Sequence, residues 1–490
     1  MWITLDENHA QTLTRQLYEK VRSAILTGRL AASEKLPSTR RLAAELGIAR
    51  NTVIEVYSQL IAEGYLEAAH GSATRVVRDL PPVAFRLFPL PEETDNKTNH
   101  RPDYKPDHNP GKSRDVAGQN TDEMPSYIDF RTGVPALSHF PRNEWSRQYR
   151  AACLDLPAEG YGYCHPFGVW ELRAALCRYL LRVRGIVCEP DQIMITTGAT
   201  QGLSLLTRFL SRDRQEVLIE DPSHPGLRKV ITMAGGILKT ADIDEKGMLT
   251  CRLDEKDHPA FVYTTPSHQY PLGGIMPVQR RLELIRYAWH RDCYIVEDDY
   301  DSEFRYGGAP VSTMYELDPG KVIYIGSFSK TLSPALRLGY MIMPFGLTET
   351  LKREKAYSDV HTDALNQYTM AGFLDSGAFE KHIWKMKKYY IRQRKCLLKG
   401  LEHYFPGRHE VLGDASGLHL AVRFDDIVFT EKTVRRMAQA GVKIYPVSRL
   451  YLHHREPDHL LVMGYSHLSS EEIWKGLEII KTEAGASVSE

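Results

Sequence analysis

Leu13, Leu17, Val21, Ile25 and Leu26 recur at helical spacing and stop at Gly28, so the chain opens on an amphipathic helix. Ser38 or Thr39 then caps a second helix carrying Leu42, Ala43 and Leu46, and Gly47 makes the turn. Asn51 and Thr52 open a third helix with Val53, Val56, Tyr57, Leu60 and Ile61 on its apolar face. The stretch from Glu67 to Val77 follows as a two-stranded wing turning at His70-Gly71-Ser72, so residues 10–78 form a helix-turn-helix unit. Residues 79–125 are polar and rich in Pro, Asp, Asn and Lys, the texture of a flexible linker. From there to residue 485 the period changes. Apolar runs such as 192–196, 216–219, 260–263 and 293–296 alternate with helix-length segments, which predicts an α/β domain with a doubly wound, mainly parallel sheet.

Length and charge add little to this picture. A chain of 490 residues holds two or three domains, and its 62 Lys plus Arg equal its 62 Asp plus Glu. Any attraction to DNA is therefore local. The seven Cys stand singly with no C-x-x-C pair, which fits a reducing cytoplasm and calls for no metal. Neither a secretory leader nor a run of about 18 uncharged apolar residues occurs, so no membrane partner is expected.

Candidate chemistry centres on Gly326-Ser327-Phe328-Ser329-Lys330-Thr331, with Arg337 seven residues after the lysine, all following the apolar run 322–325. A lysine that forms a Schiff base needs a partly desolvated site, and a phosphate monoester needs hydroxyls, N–H groups and a guanidinium. This segment supplies both sets. Acidic residues in Glu297-Asp298-Asp299-Tyr300-Asp301 sit where a strand ends, where a carboxylate can keep a pyridine nitrogen protonated. Thr196-Thr197-Gly198-Ala199-Thr200 joins a strand to a helix and offers N–H groups to an anion. Each segment alone reads equally well as an ordinary turn; their combination points to pyridoxal 5′-phosphate.

Leu36-Pro37-Ser38-Thr39-Arg40-Arg41-Leu42-Ala43, Arg50-Asn51-Thr52-Val53 and Leu60-Ile61-Ala62-Glu63-Gly64-Tyr65 resemble the GntR family of winged-helix regulators. That resemblance implies that Arg40, Arg50, Asn51 and Thr52 meet double-stranded promoter DNA, with His70 and Gly71 at the wing tip. Arg40 and Arg50 suit a phosphate or a guanine edge. The order of the later motifs resembles fold-type I pyridoxal-phosphate enzymes of the aminotransferase class. By it the fold has a seven-stranded-type sheet with helices on both faces and a small C-terminal α/β subdomain. It also implies Lys330 as the Schiff-base lysine, Asp298 at the pyridine nitrogen, Tyr300 at the ring hydroxyl, and Ala199, Thr200, Ser327, Ser329 and Arg337 at the phosphate. Arg449 matches the arginine for a substrate carboxylate, against the alternative of a surface arginine.

The whole chain is similar to the MocR/GabR subfamily of GntR regulators. Two positions depart from the patterns. His224 stands where a ring-stacking Tyr is usual, able to stack or to titrate, and Tyr270 stands where aminotransferases place an Asn. The expected function is a regulator that senses an amino acid, a related amine or pyridoxal phosphate itself through an aldimine at Lys330. Transamination, if any, is weak or partial. The alternative is a working aminotransferase with an appended DNA-binding domain. The subfamily resemblance further implies a homodimer, head-to-tail and domain-swapped.

Overall fold

The computed structural model describes residues 3, 5–6, 12–68, 73–78, 127–306, 311–413, 415–453 and 456–485. Three helices and a two-stranded ribbon form the first unit: α1 (Leu13–Leu26), α2 (Thr39–Leu46), α3 (Arg50–Ala62), β1 (Leu66–Glu67) and β2 (Arg75–Val76). Thr12 caps α1 and Ser38 caps α2, each accepting an N–H of the first turn, and Gly47 ends α2 at φ 68°, a left-handed conformation suited to glycine. Leu17, Val21, Leu42, Val53, Val56 and Leu60 interlock as its core. His70 and Gly71 lie outside the described residues.

The larger unit starts with β3 (Ile128–Asp129), α4 (Arg142–Asp155), α5 (Trp170–Arg184), β4 (Ile193–Thr196), α6 (Ala199–Leu210), β5 (Glu216–Asp221) and α7 (Pro225–Met233). It continues with β6 (Ile237–Asp244), β7 (Gly247–Met248), β8 (Phe261–Thr264), α8 (Val278–Arg291), β9 (Tyr294–Asp299), α9 (Met314–Leu317), β10 (Val322–Ser327) and β11 (Gly339–Ile342). The strands line up as β4-β11-β10-β9-β8-β5-β6-β7. Pairing is parallel from β10 through β6, and β11 runs antiparallel to both its neighbours. The eighth strand is a two-residue hairpin return, β7 on β6, beyond the seven expected. Its central strands are buried on both faces, as a sheet between two helical layers requires.

The chain then passes through α10 (Phe345–Asp359), α11 (Ala364–Asp375) and the long α12 (Ala378–Tyr404) into the C-terminal subdomain. There β12 (His409–Leu412), β13 (His419–Phe424), α13 (Glu431–Gln439), β14 (Val442–Lys443), β15 (Tyr445–Pro446), β16 (Leu460–Gly464) and α14 (Ser470–Gly485) follow. An antiparallel sheet of order β12-β13-β16-β15 packs on α12 and α14 through Leu397, Leu401, Leu420, Val422, Ile473 and Leu477.

The winged helix rests on the large domain of its own chain, and residues of both share one apolar cluster. Polar contacts tie the surfaces. Glu316 on α9 accepts from Arg15 at 3.1 Å and Arg22 at 3.3 Å, and Ser312 accepts from Arg22 at 2.6 Å. Tyr18 donates to the buried Glu63 at 2.6 Å, while Glu63 and Gly64 carbonyls accept from Val278 N and Gln279 Nε2. Among the described residues no helix is long and apolar enough to cross a membrane.

Candidate cofactor site and DNA-facing helix

The parallel strands β5, β8, β9 and β10, with β4, end on one side of the sheet, and a cavity of about 470 Å³ opens there. Ala199, Thr200, His224, Tyr270, Asp298, Tyr300, Ser327, Ser329, Lys330 and Arg337 all line it. Ten residues from six stretches of chain thus meet in one place.

Lys330 leaves the end of β10 and donates from Nζ to the Gly133 carbonyl at 2.6 Å. Burial drives its pKa below the ordinary lysine range, opposed by the carboxylates of Asp301 and Asp298. A lysine so placed can offer a lone pair to a carbonyl carbon. A Cβ at Gly133 would stand 2.8 Å from Nζ, so this turn must stay bare for the lysine to lie where it does.

Asp298 lies at the end of β9, and Tyr263 on the neighbouring β8 donates to its Oδ2. Its Oδ1 is buried with no hydrogen-bond partner. Burial pushes this carboxyl up to about 6, against the Tyr263 hydrogen bond and Lys330, which lower it. A ring N–H⁺ would fill the unused acceptor and hold the carboxylate ionised.

At another edge of the cavity, Gly198 (φ 107°) precedes α6, whose first N–H groups have no intrahelical acceptor. Arg337, itself left-handed at φ 49°, approaches from the turn 334–336, and a Cβ on Gly198 would lie 3.2 Å from its Nη2. A helix N-terminus, a guanidinium and the hydroxyls of Thr200, Ser327 and Ser329 make a cradle for a phosphate. The residues present therefore fit pyridoxal phosphate at all three of its handles: aldehyde, ring nitrogen and phosphate.

His224 caps α7, accepting from Gly226 N at Nδ1 (3.1 Å), and its ring lies 5.4 Å from that of Tyr270. Burial, then Lys330 and Arg228, lowers its pKa, and its ring is tilted 60° to that of Tyr270. Tyr270 shares a 3.1 Å hydrogen bond with Thr132. Tyr300 donates to the His268 carbonyl at 2.8 Å.

Arg449 does not reach the cavity. It sits in the turn Val447–Leu450, where Val447, Ser448 and Leu450 point inward and Arg449 points to solvent, paired with Glu431 through Nε (3.0 Å) and Nη2 (2.7 Å). Sequence reasoning passed over Tyr263, Gly133, Glu220 and His419, which the cavity does contain. Tyr263 and His419 read as strand core, and only the pairing of β8 with β9 reveals that Tyr263 meets Asp298.

On the winged helix, Arg40, Arg50 and Asn51 are exposed and Thr52 half-buried, gathered at α2 and the start of α3. Ala49, the N-cap of α3, offers no side-chain acceptor to the N–H groups that open the helix, and of these Thr52 N donates to the Ala49 carbonyl at 3.0 Å. Exposed guanidinium and amide groups of this kind suit phosphate and base edges.

A family model described as bacterial regulatory proteins, gntR family, matches residues 13–76, and one for aminotransferase class I and II matches residues 151–478. The chain is 32% identical over 482 residues to the probable rhizopine catabolism regulatory protein MocR of Rhizobium meliloti, covering 98% of this chain and 95% of that protein. It is 30% identical over 481 residues to the HTH-type pyridoxine biosynthesis transcriptional regulator PdxR of Corynebacterium glutamicum, covering 97% of each. Among solved structures, kynurenine aminotransferase of Pyrococcus horikoshii, crystallised with PMP, matches with a TM-score of 0.69 and 26% identity, over 75% of this chain and 92% of that one. The chain belongs to the MocR-type gntR-family transcriptional regulators, in which a DNA-binding helix-turn-helix precedes an aminotransferase class I and II domain.

Proposed function

We propose that this regulator holds pyridoxal phosphate at Lys330, senses an amino compound there, and alters promoter binding as a result. The observation that carries the proposal is the convergence on one cavity of Lys330, the unpaired oxygen of Asp298 and the Gly198–Arg337 cradle, in a domain on which the winged helix is docked. Bound there, pyridoxal phosphate supplies an electrophilic carbonyl carbon conjugated to an electron-withdrawing ring. Lys330 would hold that carbon through Nζ, the position for which an incoming amine would compete. Asp298 would keep the ring nitrogen protonated, and Arg337 with the α6 N-terminus would hold the phosphate. His224 and Tyr270 wall the cavity and exclude water.

The signal has a physical route. Glu297, fully buried beside Asp298, accepts from Met314 N and Tyr315 N at 3.0 Å each and so caps α9, whose Glu316 grips Arg15 and Arg22 of the winged helix. A ligand biases DNA binding only if it favours one arrangement of these contacts over another.

The reading includes a homodimer in which winged helices are exchanged between copies, supported by the large apolar side chains Leu154, Tyr163, Trp170 and Tyr357 that the large domain leaves exposed. Amino acids, related amines and free pyridoxal phosphate are the effectors to screen. The test is to titrate each into cofactor-loaded protein while following the cofactor's absorbance and promoter affinity together. A compound that moves both in wild type and neither in Lys330→Ala supports the reading; equal DNA responses in the two proteins refute it.

Catalysis is the second reading, favoured by the placement of Lys330 and Asp298 with respect to one another. Turnover of amino acid with keto acid at about 10 per second, the median for enzymes, would establish it.

A further inference from the structure

A second carboxylate lies next to the cofactor site and belongs to none of its three handles. Asp301, buried directly after Tyr300, faces the buried imidazole of His268, with Oδ1 and Oδ2 at 3.0 and 3.2 Å from Nδ1. A carboxylate only accepts, so Nδ1 carries the proton and donates it to Asp301. Tyr300 therefore sends its own proton to the His268 carbonyl, and its hydroxyl is held at 2.8 Å from that oxygen and 3.1 Å from Nδ1. Asp301 Oδ2 also accepts from Leu418 N at 3.1 Å, drawing β13 and His419 against the same ring. Gly417, at φ 79°, closes the back of this cluster, and a Cβ there would overlap both His268 and Asp301.

We propose that Asp301 and His268 are positioning residues of the cofactor site. Asp301 orients the imidazole, His268 fixes the Tyr300 hydroxyl, and the Asp301 carboxylate is the fixed negative charge behind the wall that Tyr300 and His419 present to Lys330. The inference rests on the cofactor reading above. Tyr300 and His419, which flank this pair, line the same cavity as Lys330, and the Asp301 carboxylate, ahead of that of Asp298, favours the protonated form of Lys330. Other titratable groups around Lys330 are Asp298 and Tyr263 on the strands, His224 at α7, Tyr270 before α8 and His419 on β13. Glu220 and Arg337 complete the set. His419 is pushed down to about 3 by burial and by His268, so it stays neutral while Lys330 titrates.

The test is the pH midpoint of the absorbance change of cofactor-loaded protein, read with its melting temperature. Asp301→Asn keeps the shape and removes the charge, so the midpoint moves to lower pH by about one unit. His268→Phe keeps the ring and removes the N–H that shares the Asp301 charge, so its midpoint moves to higher pH. Opposite shifts from two touching residues are not what loss of packing alone produces. If Asp301→Asn does not fold, the upward shift in His268→Phe carries the test by itself. Midpoints of cofactor-loaded variants within about 0.3 units of wild type overturn the proposal. A wild-type protein with no Lys330-dependent band would instead sink the cofactor reading and leave the hydrogen-bonded pair as found.

Discussion

Replacing Glu316 by Gln removes one charge at the centre of the contact between the winged helix and the large domain. Glu316 is 6% exposed and its partners Arg15 and Arg22 are 12% and 14% exposed at their side chains. Burial works against the charge on Arg22, and Glu316, together with Tyr18 and Tyr65, more than offsets it. A surface pair contributes at most about 1 kcal/mol, whereas stripping one partner from a buried pair costs about 3–5 kcal/mol. These side chains lie between the two limits, nearer the buried one. Loss of about 2–3 kcal/mol of docking follows, equivalent to a roughly 30- to 150-fold weaker contact. Glutamine preserves the α9 cap, in which Glu316 Oε2 accepts from Thr313 N at 3.0 Å, so the helix itself survives. Two measurements read the change: calorimetric melting, in which the winged helix separates from the large domain, and promoter affinity of cofactor-loaded against cofactor-stripped protein. The ratio of those affinities should fall toward one in Glu316→Gln. A variant that melts like wild type and keeps the full ratio would refute the claim that this ion pair links the two domains.

Arg337→Ala takes a charge-assisted partner from the phosphate cradle and should weaken cofactor binding by about 2 kcal/mol, roughly 30-fold, measured by equilibrium dialysis. Lys330→Ala should lose the cofactor's visible band while the melting temperature of the cofactor-free protein holds. For Asp298 the folded pKa, about 6, lies above its usual 3.8, so protonation favours the fold. Its contribution is present below pH 4 and lost as pH rises through 6; Asp298→Asn should therefore stabilise cofactor-free protein at pH 8 more than at pH 4, in paired thermal melts. Arg50→Ala should cost about 1–3 kcal/mol of promoter affinity, and a smaller salt dependence with it would place Arg50 on a phosphate rather than a base.

Much of the cofactor site was legible because its residues follow strands directly. Lys330, Asp298 and Ala199–Thr200 each come within a few positions of an apolar run, and a parallel sheet brings such ends together. Arg449 failed for the complementary reason. Its backbone runs close to the cavity, since the Leu450 carbonyl accepts from Ser223 N and Arg228, but a single turn decides which of four consecutive side chains faces outward. No periodicity encodes that choice. The docking contact was equally hidden. Thr313-x-x-Glu316 carries a capping-box pattern, yet the arginines that Glu316 holds are 301 and 294 positions away in sequence.

The end of β9 shows how one short strand serves both binding and output. Successive side chains of a strand point to opposite faces, so Asp298 turns to the cavity while Glu297 and Asp299 turn away from it. Glu297 caps α9 and thereby seats Glu316. Asp299 accepts from Tyr324 at 2.6 Å and pairs with Arg184, whose carbonyl accepts from Arg15 at 3.0 Å. Both acids flanking Asp298 thus lead to α1 of the winged helix. A bound ring that draws Asp298 toward the cavity pulls on the same backbone that holds Glu297 and Asp299, and their hydrogen-bonded partners are too buried to let go without cost. Strand alternation thus puts Asp298 on the cavity face and the two carboxylates that lead to the winged helix on the other.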